Sequence, residues 1–63
     1  MAGNSDLVDI IVEVKHETDK AILVDDGAKK VWLPKSQIEF ESNGDGTSTV
    51  TLPEWLARDK GLI

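Results

Sequence analysis

A chain of 63 residues with no cysteine and a formal charge of −5 reads as one small acidic domain that neither disulfides nor thiolate-bound metals can staple. Seven basic residues against twelve acidic ones make duplex DNA a poor partner, since its binding draws on lysine and arginine neutralising phosphates. No apolar run nears the roughly 20 residues of a membrane span, and no basic segment leads into an apolar one as in a signal peptide, so a cytoplasmic location is expected.

Met1-Ala2-Gly3-Asn4-Ser5 is small and polar, and residues 1–6 read as a flexible tail ahead of a single domain. Residues 7–17 then alternate strictly. Val8, Ile10, Val12, Val14 and His16 fall on one face, and Asp9, Glu13, Lys15 and Glu17 on the other, the pattern of a half-buried strand. Ile11 breaks the polar face and calls for another element to cover it. Residues 17–20 form a short polar connection, and Ala21-Ile22-Leu23-Val24 is a continuous apolar run that suggests burial on both faces.

Asp25-Asp26-Gly27-Ala28 carries hairpin chemistry, because aspartate tolerates the left-handed region and glycine supplies a positive φ. The returning strand over residues 29–33 puts Val31 and Leu33 on one face and Lys30 and Trp32 on the other. Pro34 has no N–H for a ladder and ends it, with Pro34-Lys35-Ser36 as a tight turn. Residues 37–41 resume the alternation, with Ile38 and Phe40 inward. A second turn cluster, Ser42-Asn43-Gly44-Asp45-Gly46, leads to a threonine-rich strand over residues 47–52.

The C-terminal stretch predicts a helix over residues 53–60. Thr51 and Glu54 have the spacing of a capping box, while Pro53 suits the first helical position, and the two registers compete by one residue. Gly61 fits a left-handed terminator, and so short a helix needs Trp55 and Leu56 to pack on the sheet. Five short antiparallel strands and a terminal helix predict a mainly β fold, a small SH3-like barrel whose closure would remove exposed strand edges. An OB-fold needs longer strands and more chain.

The candidate chemistry is sparse. Asn43, Asp45, Thr47, Thr49, Thr51 and Glu54 match the ligand spacing of a calcium loop, but Ser48 replaces the loop's glycine and the incoming flank reads as strand. A plain hairpin turn is the better account, and no cofactor or metal is expected. His16 is the one histidine and lies inward by parity, which suits a structural role. A triad built from it with Ser36 or Ser48 has no support in spacing, so a non-enzyme is expected.

Two surfaces remain. Lys30 and Trp32 share a face flanked by Lys29 and Lys35, an arrangement with which small barrels stack single-stranded bases, unless the terminal helix and Trp55 roof Trp32. Asp25, Asp26, Glu39, Glu41 and Asp45, with Glu54, supply an acidic surface that either solubilises the chain or mimics nucleic acid in a basic groove. A protein partner or self-association leads the expected interactions, with single-stranded nucleic acid second.

The run Asp26-Gly27, then Trp32-Leu33-Pro34-Lys35-Ser36-Gln37, together with Leu52-Pro53-Glu54-Trp55-Leu56-Ala57 and Lys60-Gly61-Leu62-Ile63, resembles a group of short bacterial and prophage proteins to which no activity is attached. The similarity spans residues 12–63. It implies a small cytoplasmic accessory protein of bacterial or phage origin and assigns no functional residues.

Overall fold

The computed structural model describes residues 6–63. Of the flexible tail expected over residues 1–6, residues 1–5 lie outside the described residues. Five strands, β1 (Leu7–Glu17), β2 (Ala21–Asp25), β3 (Lys30–Pro34), β4 (Glu39–Ser42) and β5 (Ser48–Pro53), are followed by helix α1 (Glu54–Asp59). All pairings are antiparallel, in the order β3-β2-β1-β5-β4. The sheet is not closed: β3 and β4 are its two edges, so the strand count expected for a barrel is met while closure is not.

β1 organises the rest. Its residues 7–12 pair with β5, and from Glu13 onward it pairs with β2, so one strand serves two wings. Val12, Ile22, Val24, Leu33, Val50 and Leu52 from these wings are buried in one cluster with Leu56 and Ala57 of α1. A helix of six residues is too small to cover all five strands alone, so the inner faces of the two wings share this core. The apolar run of β2 is buried on one side only. Ile22 and Val24 are fully buried, whereas Ala21 and Leu23 are half-buried.

The alternation of β1 fails at one point. Glu13 and Val14 pair with Asp25 and Val24, but the next partners are His16 with Leu23 and Glu17 with Ile22. Lys15 is therefore the extra residue of a β-bulge, and the parity of His16 and Glu17 after it in β1 is reversed. His16, expected inside, is exposed for this reason.

Turns follow their side-chain chemistry. Asp25 Oδ1 accepts the Gly27 N–H, and Asp26 Oδ1 accepts the N–H groups of Ala28 and Lys29 at 2.8 and 2.9 Å. These two backbone donors hold the Asp26 carboxyl below its ordinary range, Ala28 contributing most. The expected turn at residues 34–36 is a short 3-10 helix over Lys35–Gln37, and the strand after it begins two residues later than the alternation suggests. A bond from the Lys35 N–H to the Lys20 carbonyl ties this segment to the β1–β2 turn.

Neither expected cap starts α1. Pro53 is the N-cap residue, and no side chain bonds to the helix start. Thr51 lies in β5 and donates its hydroxyl to Asp9 at 2.6 Å instead, while the Glu54 N–H is accepted by the Asp6 carbonyl. The far end is a Schellman motif: Leu62 N–H bonds to Ala57 and Gly61 N–H to Arg58, with Gly61 at φ 75°. Leu56 and Ala57 pack on the sheet as the inner face of the helix, but Trp55, expected to join them, is 54% exposed.

Candidate interaction surface

The register of β1, β2 and β3 places His16, Leu23 and Trp32 in one cross-strand row. Directly opposed residues of an antiparallel sheet share a face, and this one is the outer face, since the neighbouring row of Val14, Val24 and Val31 points to the core. His16 and Trp32 meet edge to face across Leu23, with ring centroids 6.0 Å apart and planes at 87°. This T-shaped geometry is the favoured one for aromatic pairs. The terminal helix does not roof Trp32, which remains 45% exposed. The bulge at Lys15 is what brings the imidazole to it.

The lysines expected around Trp32 are not gathered there. Lys30 is exposed and follows the Trp32 parity, but it faces Asp25 across the ladder. Lys29 has the opposite parity and runs to the helix C-terminus, where its ammonium lies so close to Gly61 that a Cβ added there would stand 2.5 Å from Nζ. That is the end of the helix where a cation is favoured. Lys35 is taken by Glu17, with Nζ and carboxylate 2.5 Å apart.

The acidic residues split in a different way. Glu39 and Glu41 project from β4 on the outer face, opposite Thr51 and Thr49, which lie opposite Asp9 and Ile11 of β1. Asp25 and Asp26 border an open groove of about 220 Å³ with Ile11, Glu13 and Thr47, so the two turns flank the same depression. Asp45 turns inward on its own loop, accepting the Thr47 hydroxyl at 2.6 Å and the Thr47 N–H at 2.9 Å, and these bonds lower its pKa. Glu54 pairs with Arg58 one helical turn away. Ile11, expected under another element, is 60% exposed.

The calcium-loop spacing does not translate into a cage. Thr49 and Thr51 are two rungs of β5 bonded to Asn43 and Asp9, and Glu54 lies beyond them in α1, so these oxygens are strung along a strand. Among the described residues no three His, Cys, Asp or Glu side chains gather as a metal site, and no helix is long and apolar enough to cross a membrane. The grooves beside Ile11, Leu7 and Phe40, at about 220 Å³ or less, are open and smaller than the roughly 300 Å³ at which small-molecule sites begin.

Sequence reasoning missed His16 and Leu23 as surface residues. No glycine or turn residue marks the bulge at Lys15, and a continuous apolar run does not reveal which of its members lies outside. Leu7, read only as the first residue of its strand, is exposed on the same face as Ile11. No protein-family model, curated protein or solved structure matches this chain, so the surface stands on its own geometry.

Proposed function

We propose that the chain is a non-catalytic cytoplasmic binding module that docks another protein through the His16–Leu23–Trp32 row. The observation that carries this reading is the 45% exposure of Trp32 on an edge strand, with its ring set against His16 rather than covered by the helix. A large aromatic held at two torsions loses little entropy on docking and buries much area, which is why tryptophan anchors protein interfaces. The shallow grooves and the engagement of the one histidine with Trp32 favour binding over catalysis.

Single-stranded nucleic acid is the weaker partner. A stacking platform is present, but Lys29 and Lys35 are committed elsewhere and Lys30 faces Asp25, leaving few cations to meet phosphates on a chain of net charge −5. The test uses immobilised wild type, Trp32→Ala and Trp55→Ala with lysate of the cells that make the protein, quantified by mass spectrometry. A protein retained by wild type and by Trp55→Ala but lost with Trp32→Ala is expected. Fluorescence titration with an oligothymidine at low salt runs beside it. Quenching by the oligonucleotide that Trp32→Phe abolishes would replace this reading with nucleic-acid binding.

A further inference from the structure

The outer face of the other wing holds a second surface, independent of Trp32. Leu7 and Ile11 of β1 point outward from the same face and are 62% and 60% exposed. They are two full strand repeats apart, a separation of about 13 Å. Each has an open groove of about 220 Å³ beside it, one reaching Ile38 from Leu7 and the other reaching Thr47 from Ile11. The residues between and around them are carboxylates: Asp9 lies between the pair on β1, Glu13 follows Ile11, and Glu39 and Glu41 stand two rungs away across Thr51 and Thr49. Asp25 and Asp26 close the Ile11 groove. Lys15, with its ammonium 2.6 Å from Glu13, answers one of these charges.

An apolar strip with a rim of one sign selects its occupant by charge. Burying Leu7 and Ile11 against an acidic or neutral surface would leave Glu39 and Glu41 facing like charge or losing water without a partner, and the Asp9 charge with only the Thr51 hydroxyl, whereas a basic surface compensates them. The backbone narrows the choice further. Ladder N–H and C=O groups lie in the plane of the sheet, so a segment lying across the outward side chains of β1 and β5 cannot pair with them as an added strand. A segment lying across it must satisfy its own backbone, which a helix does. Apolar residues eight apart on one helix face are about 12 Å apart, close to the spacing of Leu7 and Ile11.

We propose that the Leu7–Ile11 strip on the β1–β5–β4 face is a docking site for a cationic amphipathic helix of a partner protein. It goes beyond the Trp32 reading and stands or falls separately from it.

The probe is a synthetic helical peptide of about 15 residues with leucines on one face and lysines on the other, titrated into isotope-labelled full-length protein and followed by amide chemical shifts. Saturable shifts centred on Leu7, Asp9, Ile11, Thr49, Thr51, Glu39 and Glu41 are expected. Ile11→Ser removes one aliphatic side chain from the contact and should weaken binding by about tenfold or more. Leu7→Ser should act in the same direction. Both sites are exposed, so the fold survives either change, and Trp32→Phe should leave the affinity unchanged. Glu39→Gln with Glu41→Gln should lower affinity and flatten its salt dependence. The proposal is overturned by shifts centred on the His16–Leu23–Trp32 row, by shifts spread over every acidic position, by no saturable binding, or by equal affinity for a glutamate-and-leucine helix. A dimer in sedimentation that Ile11→Ser dissociates would overturn it in favour of a second copy of the chain.

Discussion

Leu56→Ala tests whether the helix belongs to the core. Leu56 is 4% exposed and projects from α1 into the cluster formed by Val12, Ile22, Leu33 and Leu52. Truncation to alanine removes three carbons from that cluster, worth about 2.4 kcal/mol at ~0.8 kcal/mol each, and the cavity left behind brings the loss to about 3 kcal/mol. A domain of this size holds only about 3–9 kcal/mol in total at 0.05–0.15 kcal/mol per residue. With an unfolding entropy of about 2.1 cal/mol/K per residue, the melting temperature should fall by about 20 °C. Urea unfolding followed by far-UV circular dichroism measures the loss, with Trp55→Ala as the reference. Trp55 is the next residue in the same helix but 54% exposed, so its loss should cost under about 1 kcal/mol. A Leu56→Ala variant that loses less than about 0.5 kcal/mol, or a Trp55→Ala variant that loses more than Leu56→Ala, would refute the packing.

Gly61→Ala should cost about 1–2 kcal/mol, because a left-handed residue with a Cβ is strained at φ 75° and the Lys29 ammonium must move aside; the same urea titration measures it, and a neutral result would refute the Schellman end. Trp32→Phe and His16→Ala should change stability by less than about 1 kcal/mol, both side chains being exposed, while His16→Ala alters the near-UV dichroism of Trp32. The Asp26 and Asp45 carboxyls are held low by turn hydrogen bonds, so their folded pKa lies below the unfolded one. Their stabilisation is complete above the ordinary carboxylate range and disappears as pH falls through that range and below the folded value. Asp26→Asn should therefore flatten the acid limb of the stability profile, and an unchanged limb would count against the turn geometry.

Most of this architecture is legible from periodicity and turn chemistry. Leu7 and Glu17 bound β1 as the alternation indicates, and Asp-Gly and Asn-Gly clusters separate the later strands because glycine takes positive φ there. What could not be read is each place where a tertiary contact overrides a local rule. The helix start is one: the Thr51–Glu54 spacing suggests a box, but β5 keeps Thr51 extended and paired with Leu7's neighbour Asp9, and the Asp6 carbonyl serves Glu54. The candidate surface is another. Parity assigns Trp32 correctly, yet it places His16 inside, because one unpaired residue at Lys15 inverts the remainder of β1 and has no signature of its own. The dispersal of the lysines follows from contacts remote in sequence, Lys29 with the Gly61 turn and Lys35 with Glu17.

Barrel closure was expected on the ground that five strands must hide their edges, and the edges themselves explain why an open sheet suffices. β4 is four residues long and carries Glu39 and Glu41, whose charges oppose pairing with another chain of net charge −5. β3 is five residues long, opens on Lys30 and closes on Pro34, which lacks the N–H that an added strand would need. The core is completed by β1 instead, through its change of partner at Val12 and Glu13, so the inner faces meet without a β3–β4 ladder. The same strand then exports what is left over. Before the change of partner its outward residues are Leu7, Asp9 and Ile11; after the bulge its outward residue is His16 beside Trp32. An acidic apolar strip and an aromatic row thus lie on one side of a sheet whose other side is spent on the core. That division leaves a small domain with two separate outward surfaces, one aromatic and one apolar with an acidic rim.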